Sequence, residues 1–251
     1  MNLQDFPESV KNDIEDQSLS ILEHINEDVI VIGGWAVRAL VGEKHGRYTL
    51  DIDGIAAETN LKVIKDKLSA LGMTMQKSEW GLQFDQRYHP SVDVPDDLRK
   101  ELDTVQLRIE ISGPQIQEAH TSHYFEFSLT EYKEKEILYH RKNATVLVKV
   151  PPATHMAAVK LGLPVDYKNN LDSQVLLLIC DVDNVIKIIR TNDDWAEMVL
   201  RRIPKLIGRL QQKDSLEHIL ALNVGINVKE HVRIMKDIER QLSERGKIRE
   251  A

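Results

Sequence analysis

The 251-residue chain has a single cysteine, Cys180, so it can form no internal disulfide, and a zinc site built on thiolates is excluded. It has no apolar run near the ~18 residues that a membrane-spanning helix needs. It has no surplus of positive charge. Its 33 Lys and Arg stand against 40 Asp and Glu, a formal net charge of -7, which argues against coating nucleic acid by bulk charge but leaves room for a local basic patch. There is no internal repeat, no low-complexity tract and no His-Glu-x-x-His. His120 and His123 stand three apart without a carboxylate in register. The opening MNLQDFPESVKNDIEDQ is acidic and polar, the opposite of a secretory leader. These absences predict a cytoplasmic protein with no membrane partner. The hydrophobic share of 42% and charged share of 29% are those of an ordinary globular chain, long enough for one large domain or two modest ones.

Periodicity predicts a helix over 8–25, a short buried strand at 28–32 ending in Gly33-Gly34, a helix over 35–42, a strand over 47–57 and a helix over 60–71. TMQK, GLQFDQRY, TVQLRIEIS, YFEFSL and ATVLVKV read as further strands, and HPSVDVPDD (89–97) as a loop. The style changes at Pro151-Pro152. From 153 the pattern is helical, with five helices expected and stops marked by Pro164, Asn192, Pro204 and Gly225. The expected class is therefore α+β: a mixed-sheet domain with flanking helices over 1–151, then a helical domain over 152–251. Charge divides unevenly, with 19 Lys+Arg against 28 Asp+Glu in 1–180 and 14 against 12 in 181–251. RRIPKLIGRLQQK (201–213) holds five basic residues and no acid, which reads as a solvated helix face or as a surface for RNA or an acidic partner.

The stretch VIGGWAVRALVGEKHGRYTLDIDG (31–54) carries the chemistry. Side chains two apart on a strand share a face, so Asp51 and Asp53 project together while Ile52 turns to the core. Neighbouring carboxylates repel unless a cation lies between them, and magnesium commonly takes one or two carboxylates plus substrate phosphates. Gly33 and Gly34 let backbone approach a triphosphate, and the following helix turns its N-terminus toward it. Arg47 and Thr49 precede the acids, suited to ordering the loop or touching phosphate. Trp35 reads as core and Cys180, in VLLLIC, as a buried thiol.

This ordered set resembles the signature of the DNA polymerase β-type nucleotidyltransferase superfamily. Gly33-Gly34-Trp35-Ala36 followed by Arg47-Tyr48-Thr49-Leu50-Asp51-Ile52-Asp53 is more closely similar to the AbiEii/AbiGii toxin family. Sixteen residues separate Gly34 from Asp51, slightly more than the usual spacer, and the insert falls in EKHG. The resemblance implies a third carboxylate on a later strand, for which Glu110 in LRIEIS is the candidate and Asp93 the competitor. It implies a lysine on the first helix after the sheet, matched by Lys160, and a downstream acid, matched by Asp172, with Lys168 similar in type to the family's basic residue. Asn169-Asn170 stand where an acid often does. Catalytic roles thus fall to Asp51, Asp53, Glu110, Lys160 and Asp172. Nucleotide binding falls to Gly33, Gly34, Arg47, Thr49 and Lys160, and metal binding to Asp51, Asp53 and Glu110.

The implied activity is magnesium-dependent transfer of NMP from a nucleoside triphosphate to a hydroxyl. The implied acceptor is tRNA or a protein, the implied role a toxin, and a further implied partner a cognate antitoxin. Two alternatives stand beside it. One is a small-molecule nucleotidyltransferase of the lincosamide-modifying kind, which Gly-Gly-Trp also fits. The other is a nucleotide-binding regulator without turnover.

Overall fold

The structure, a computed structural model, describes residues 6–78, 81–117 and 124–249; His120 and His123 lie outside the described residues. Ten α-helices and nine strands are assigned among them: α1 Glu8–Ile25, β1 Ile30–Ile32, α2 Gly33–Val41, β2 Ile52–Ile55, α3 Glu58–Ala70, β3 Thr74–Ser78, β4 Gly81–Arg87, α4 Asp96–Leu102, β5 Gln106–Ser112, β6 Gln115–Gln117, β7 Tyr124–Glu126, β8 Lys133–Leu138, β9 Thr145–Val150, α5 Ala153–Gly162, α6 Tyr167–Leu177, α7 Val182–Ile189, α8 Asp193–Gln211, α9 Leu216–Asn223 and α10 Val228–Arg249. No helix among the described residues is long and apolar enough to cross a membrane.

The chain divides into two compact units. The first, residues 1–39, 47–116 and 126–151, is built on a seven-stranded mixed sheet of order β3-β4-β5-β2-β1-β9-β8. β2 runs antiparallel to β1 and parallel to β5, while β4 is antiparallel to β5. Alternation along β5 puts Leu107, Ile109 and Ile111 in the core, where they align with Phe84 and Ile52 of the neighbouring strands. The opposite face of β5 carries Arg108 and Glu110, both partly exposed. α1 packs against α3 and β5, with Val10, Ile14, Leu22 and Ile25 buried. β6 and β7 form a separate two-stranded ribbon.

The second unit, residues 40–46, 117–125 and 152–251, holds the later helices. Among the described residues six helices follow residue 152, one more than expected. Asn192 falls between α7 and α8, a helix boundary as expected, and its side chain caps α8 by accepting from the N–H groups of Asp194 and Trp195. Pro204 does not stop a helix: it lies inside α8. An interior proline costs about 3 kcal/mol, and burial of Met198, Val199, Ile203, Leu206 and Leu210 along the apolar stripe offsets it.

Three further readings change. β2 is confined to Ile52–Ile55, so Arg47–Asp51 approach it as non-ladder backbone. Part of the acidic stretch after Pro95 is helix α4, with Asp96 and Asp97 in its first turn where the helix dipole favours acids. Cys180 is partly exposed rather than buried, although desolvation and neighbouring Asp181 push its thiol up to about 11.

Candidate active site

The Gly-Gly turn is shaped by what lies against it. Gly33 takes φ +64°, the left-handed region that glycine alone enters without strain. A Cβ there would stand 2.0 Å from Asp53 Oδ2 and 2.9 Å from its Cγ. A Cβ on Gly34 would stand 2.8 Å from Arg47 Nη2 and 3.0 Å from the Thr49 side chain. The turn is therefore bare because Asp53, Arg47 and Thr49 occupy the space above it. Arg47 and Thr49 are buried, and Arg47 Nη1 donates to Thr49 Oγ1 at 3.2 Å. Trp35 is fully buried, a core residue as expected, with the Arg38 guanidinium 5.3 Å from its ring centroid.

The carboxylates come from adjacent strands. Asp53 is the register partner of Glu110 across the parallel β2–β5 pair, so their side chains leave the same face. Ile52 is buried, which turns Asp53 away from the core. Asp51 sits immediately before β2 and is partly exposed, as are Asp53 and Glu110. Burial raises the Glu110 pKa. The nearby Arg108 opposes that shift, while the charges of Asp51 and Asp85 reinforce it. Asp93 is exposed in the loop before α4.

Two residues on this face were not anticipated. Arg108 is the register partner of Asp85, and its Nε donates to Asp85 Oδ1 at 2.8 Å. Gln76 and Gln83 donate to Asp85 Oδ2 at 2.7 and 2.6 Å. Burial raises the Asp85 pKa, but these bonds prevail and hold it below the usual carboxylate range. The period-2 alternation that selects Glu110 also selects Arg108, so that signal was present in LRIEIS. Asp85 carried none, because its role depends on register.

The donors fit a hard divalent cation in kind: carboxylate oxygens, without nitrogen or sulfur. Among the described residues no group of three or more His, Cys, Asp or Glu side chains closes into a metal cage. An open set of two neighbouring carboxylates with a third close by suits magnesium, which keeps most of its positions for water and phosphate oxygens.

Lys160 and Asp172 belong to the second unit, where they form a buried ion pair, Nζ to Oδ2 at 2.9 Å. Lys160 also donates to Asn169 Oδ1 at 3.1 Å, which gives the asparagine a structural reason to stand there. His45, from the Gly42–His45 3-10 turn where the longer spacer was expected, is buried with Nε2 3.5 Å from Asp172 Oδ1. Lys168 is exposed. Across α8 and the turn after it the basic run is partly neutralised, Arg201 by Glu197 and Arg209 by Glu217, while Lys205 of α8 and Lys213 just beyond it are exposed.

No family model and no curated protein matches the sequence. Among solved structures, an H. pylori chain provisionally named a nucleotidyltransferase covers 95% of this chain and 98% of its own, at 14% identity and a TM-score of 0.50. JHP933 from Helicobacter pylori covers 96% of both at 12% identity and a TM-score of 0.48. The antibiotic-resistance factor ANT(2'')-Ia covers 70% of this chain and 89% of its own at 13% identity and a TM-score of 0.46. At 14% identity the first likeness is one of fold: an α+β nucleotidyltransferase-type mixed sheet with flanking and C-terminal helices.

Proposed function

We propose that the chain is a nucleotidyltransferase, moving a nucleoside monophosphate from a nucleoside triphosphate to a hydroxyl acceptor with magnesium. The observation that carries this reading is the packing of the Asp53 carboxylate against the bare backbone of Gly33, with Glu110 on the next strand in register. The turn and the start of α2 offer backbone N–H groups and a positive helix end to phosphate. Arg47, beside Gly34, adds a planar cation that matches phosphate geometry.

Asp51, Asp53 and Glu110 are the residues that would hold magnesium, which when bound neutralises phosphate charge and lowers the pKa of a coordinated hydroxyl. The acceptor oxygen bonds the α-phosphorus while the bond to the bridging oxygen breaks and pyrophosphate leaves. Glu110 is the carboxylate assigned to receive the acceptor's proton. Lys160 and Asp172 are assigned to the reaction on the AbiEii-like resemblance. That resemblance also points to tRNA or a protein hydroxyl as acceptor, to a toxin role, and to an antitoxin partner. The exposed Lys205 and Lys213 are compatible with an RNA acceptor.

The test incubates the protein with each α-labelled nucleoside triphosphate, magnesium, and total RNA or cell extract, and follows label into macromolecules. Label transferred by wild type and not by Asp51→Ala supports the reading. Equal labelling by both sinks it.

A further inference from the structure

Helix α1 buries three acids in succession, Asp13, Glu15 and Asp16, although carboxylates rarely sit fully inside unless paired. Two of them serve loops. Asp13 accepts from Tyr88 Oη at 2.6 Å and Ser91 N at 2.9 Å and pairs with Arg141. Asp16 accepts from the N–H groups of His140 and Arg141 at 2.7 and 3.0 Å.

Glu15 does something different. Its side chain is fully buried, Oε1 accepts the backbone N–H of Thr49 at 2.6 Å, and Oε2 pairs with Arg38 of α2. His140 Nε2 lies 2.6 Å from Oε2 and 2.9 Å from Arg38 Nη2; it can donate to the carboxylate or accept from the guanidinium, not both. Burial alone would raise the Glu15 pKa, but the bonds from His140, Arg38 and Thr49 prevail and hold it below its ordinary value. Arg38 lies one turn beyond the Gly-Gly turn, and Thr49 lies two residues before Asp51, outside the β2 ladder. The two pieces of the candidate site therefore meet on one carboxylate.

We infer that Glu15 is a positioning residue: by clamping Arg38 on one side and the Thr49 amide on the other, it sets the spacing between the Gly33-Gly34 turn and the Asp51–Asp53 segment. The inference rests on the proposed nucleotidyl transfer for its functional consequence, and on geometry alone for its placement. Its substrate-side effect is large because misplacing reacting groups by ~1 Å costs on the order of 100-fold in rate.

The experiment compares Glu15→Gln with Asp16→Asn. Both neutralise a buried α1 acid without changing its shape, but Asp16 bonds the His140 and Arg141 backbone and the Arg141 side chain rather than Arg38 or Thr49. Readouts are the melting temperature, kcat and half-saturating magnesium for transfer, and the backbone amide resonances of Thr49, Asp51 and Asp53. Glu15→Gln is expected to fold, to shift the Thr49 amide upfield, to displace the Asp51 and Asp53 resonances, and to lower kcat by roughly 10- to 100-fold. Asp16→Asn is expected to leave kcat and those three resonances in place at an equal or greater loss of melting temperature. Wild-type kcat in Glu15→Gln, or an equal fall in Asp16→Asn, overturns the inference. If wild type transfers nothing, the functional reading fails separately and the resonances decide: unmoved Asp51 and Asp53 amides in Glu15→Gln overturn the clamp.

Discussion

Replacing Gly33 with alanine places a Cβ 2.0 Å from Asp53 Oδ2, 2.9 Å from its Cγ and 3.0 Å from its Cβ. Two costs add. A non-glycine residue at φ +64° loses about 1–2 kcal/mol, and forcing atoms into filled space costs typically 1–3 kcal/mol. The sum of ~2–5 kcal/mol corresponds to a fall in Tm of roughly 4–20 °C at ~2–4 °C per kcal/mol for a chain of this size. Gly34→Ala is the internal contrast. Gly34 does not have positive φ, its added Cβ meets the flexible side-chain end of Arg47 at 2.8 Å and the Thr49 side chain at 3.0 Å, and alanine recovers helix propensity of about 1 kcal/mol. It should melt within ~3 °C of wild type while displacing the guanidinium. Thermal melts of the three proteins, each with and without magnesium and nucleotide, separate the effects. Gly33→Ala should lose both stability and nucleotide-dependent stabilisation, Gly34→Ala chiefly the latter. A Gly33→Ala protein that melts with wild type and keeps its response to nucleotide would refute the packing of Asp53 over the turn.

Asp51→Asn and Asp53→Asn should each abolish magnesium-dependent nucleotide transfer with the circular dichroism spectrum unchanged; wild-type transfer in both rejects the site. Glu110→Gln should raise the melting temperature in metal-free buffer at pH 7. Folding raises the Glu110 pKa above 4.5, so its favourable contribution is complete below that value and lost as pH rises through the folded pKa; a lower melting temperature in the variant contradicts this. Glu15 has the opposite sign. Its pKa is lowered from 4.5, so its contribution is complete above that value and lost as pH falls through the folded pKa. Melting temperature should thus decline less steeply below pH 4.5 in Glu15→Gln than in wild type, and parallel curves would count against the pairing. Asp172→Ala leaves Lys160 buried without its carboxylate and should cost about 3–5 kcal/mol in urea denaturation; a loss under ~1 kcal/mol would show that the amine finds water instead.

The turn and the strand faces were legible because they depend on short-range rules. Two glycines after a β-branched run and an alternating Leu107 to Ile111 specify a turn and a strand face whatever the strands pair with, whereas Asp51, read as alternating with Ile52 and Asp53, lies just before β2. β8 escaped notice because Lys133–Leu138 is an edge strand of mostly exposed charges, whose pairing depends on β9 and not on its own hydrophobicity. Pro204 misled because local propensity is overruled by a buried stripe. Only tertiary structure could put Glu110 beside Asp53, since that requires the β2–β5 register across more than fifty residues of chain. The same holds for Glu15: three acids in DIED look like a solvated helix surface, and their burial follows from amide, arginine and histidine partners 23 to 128 residues away. Helical and strand periods are local, and the satisfaction of a buried charge is not.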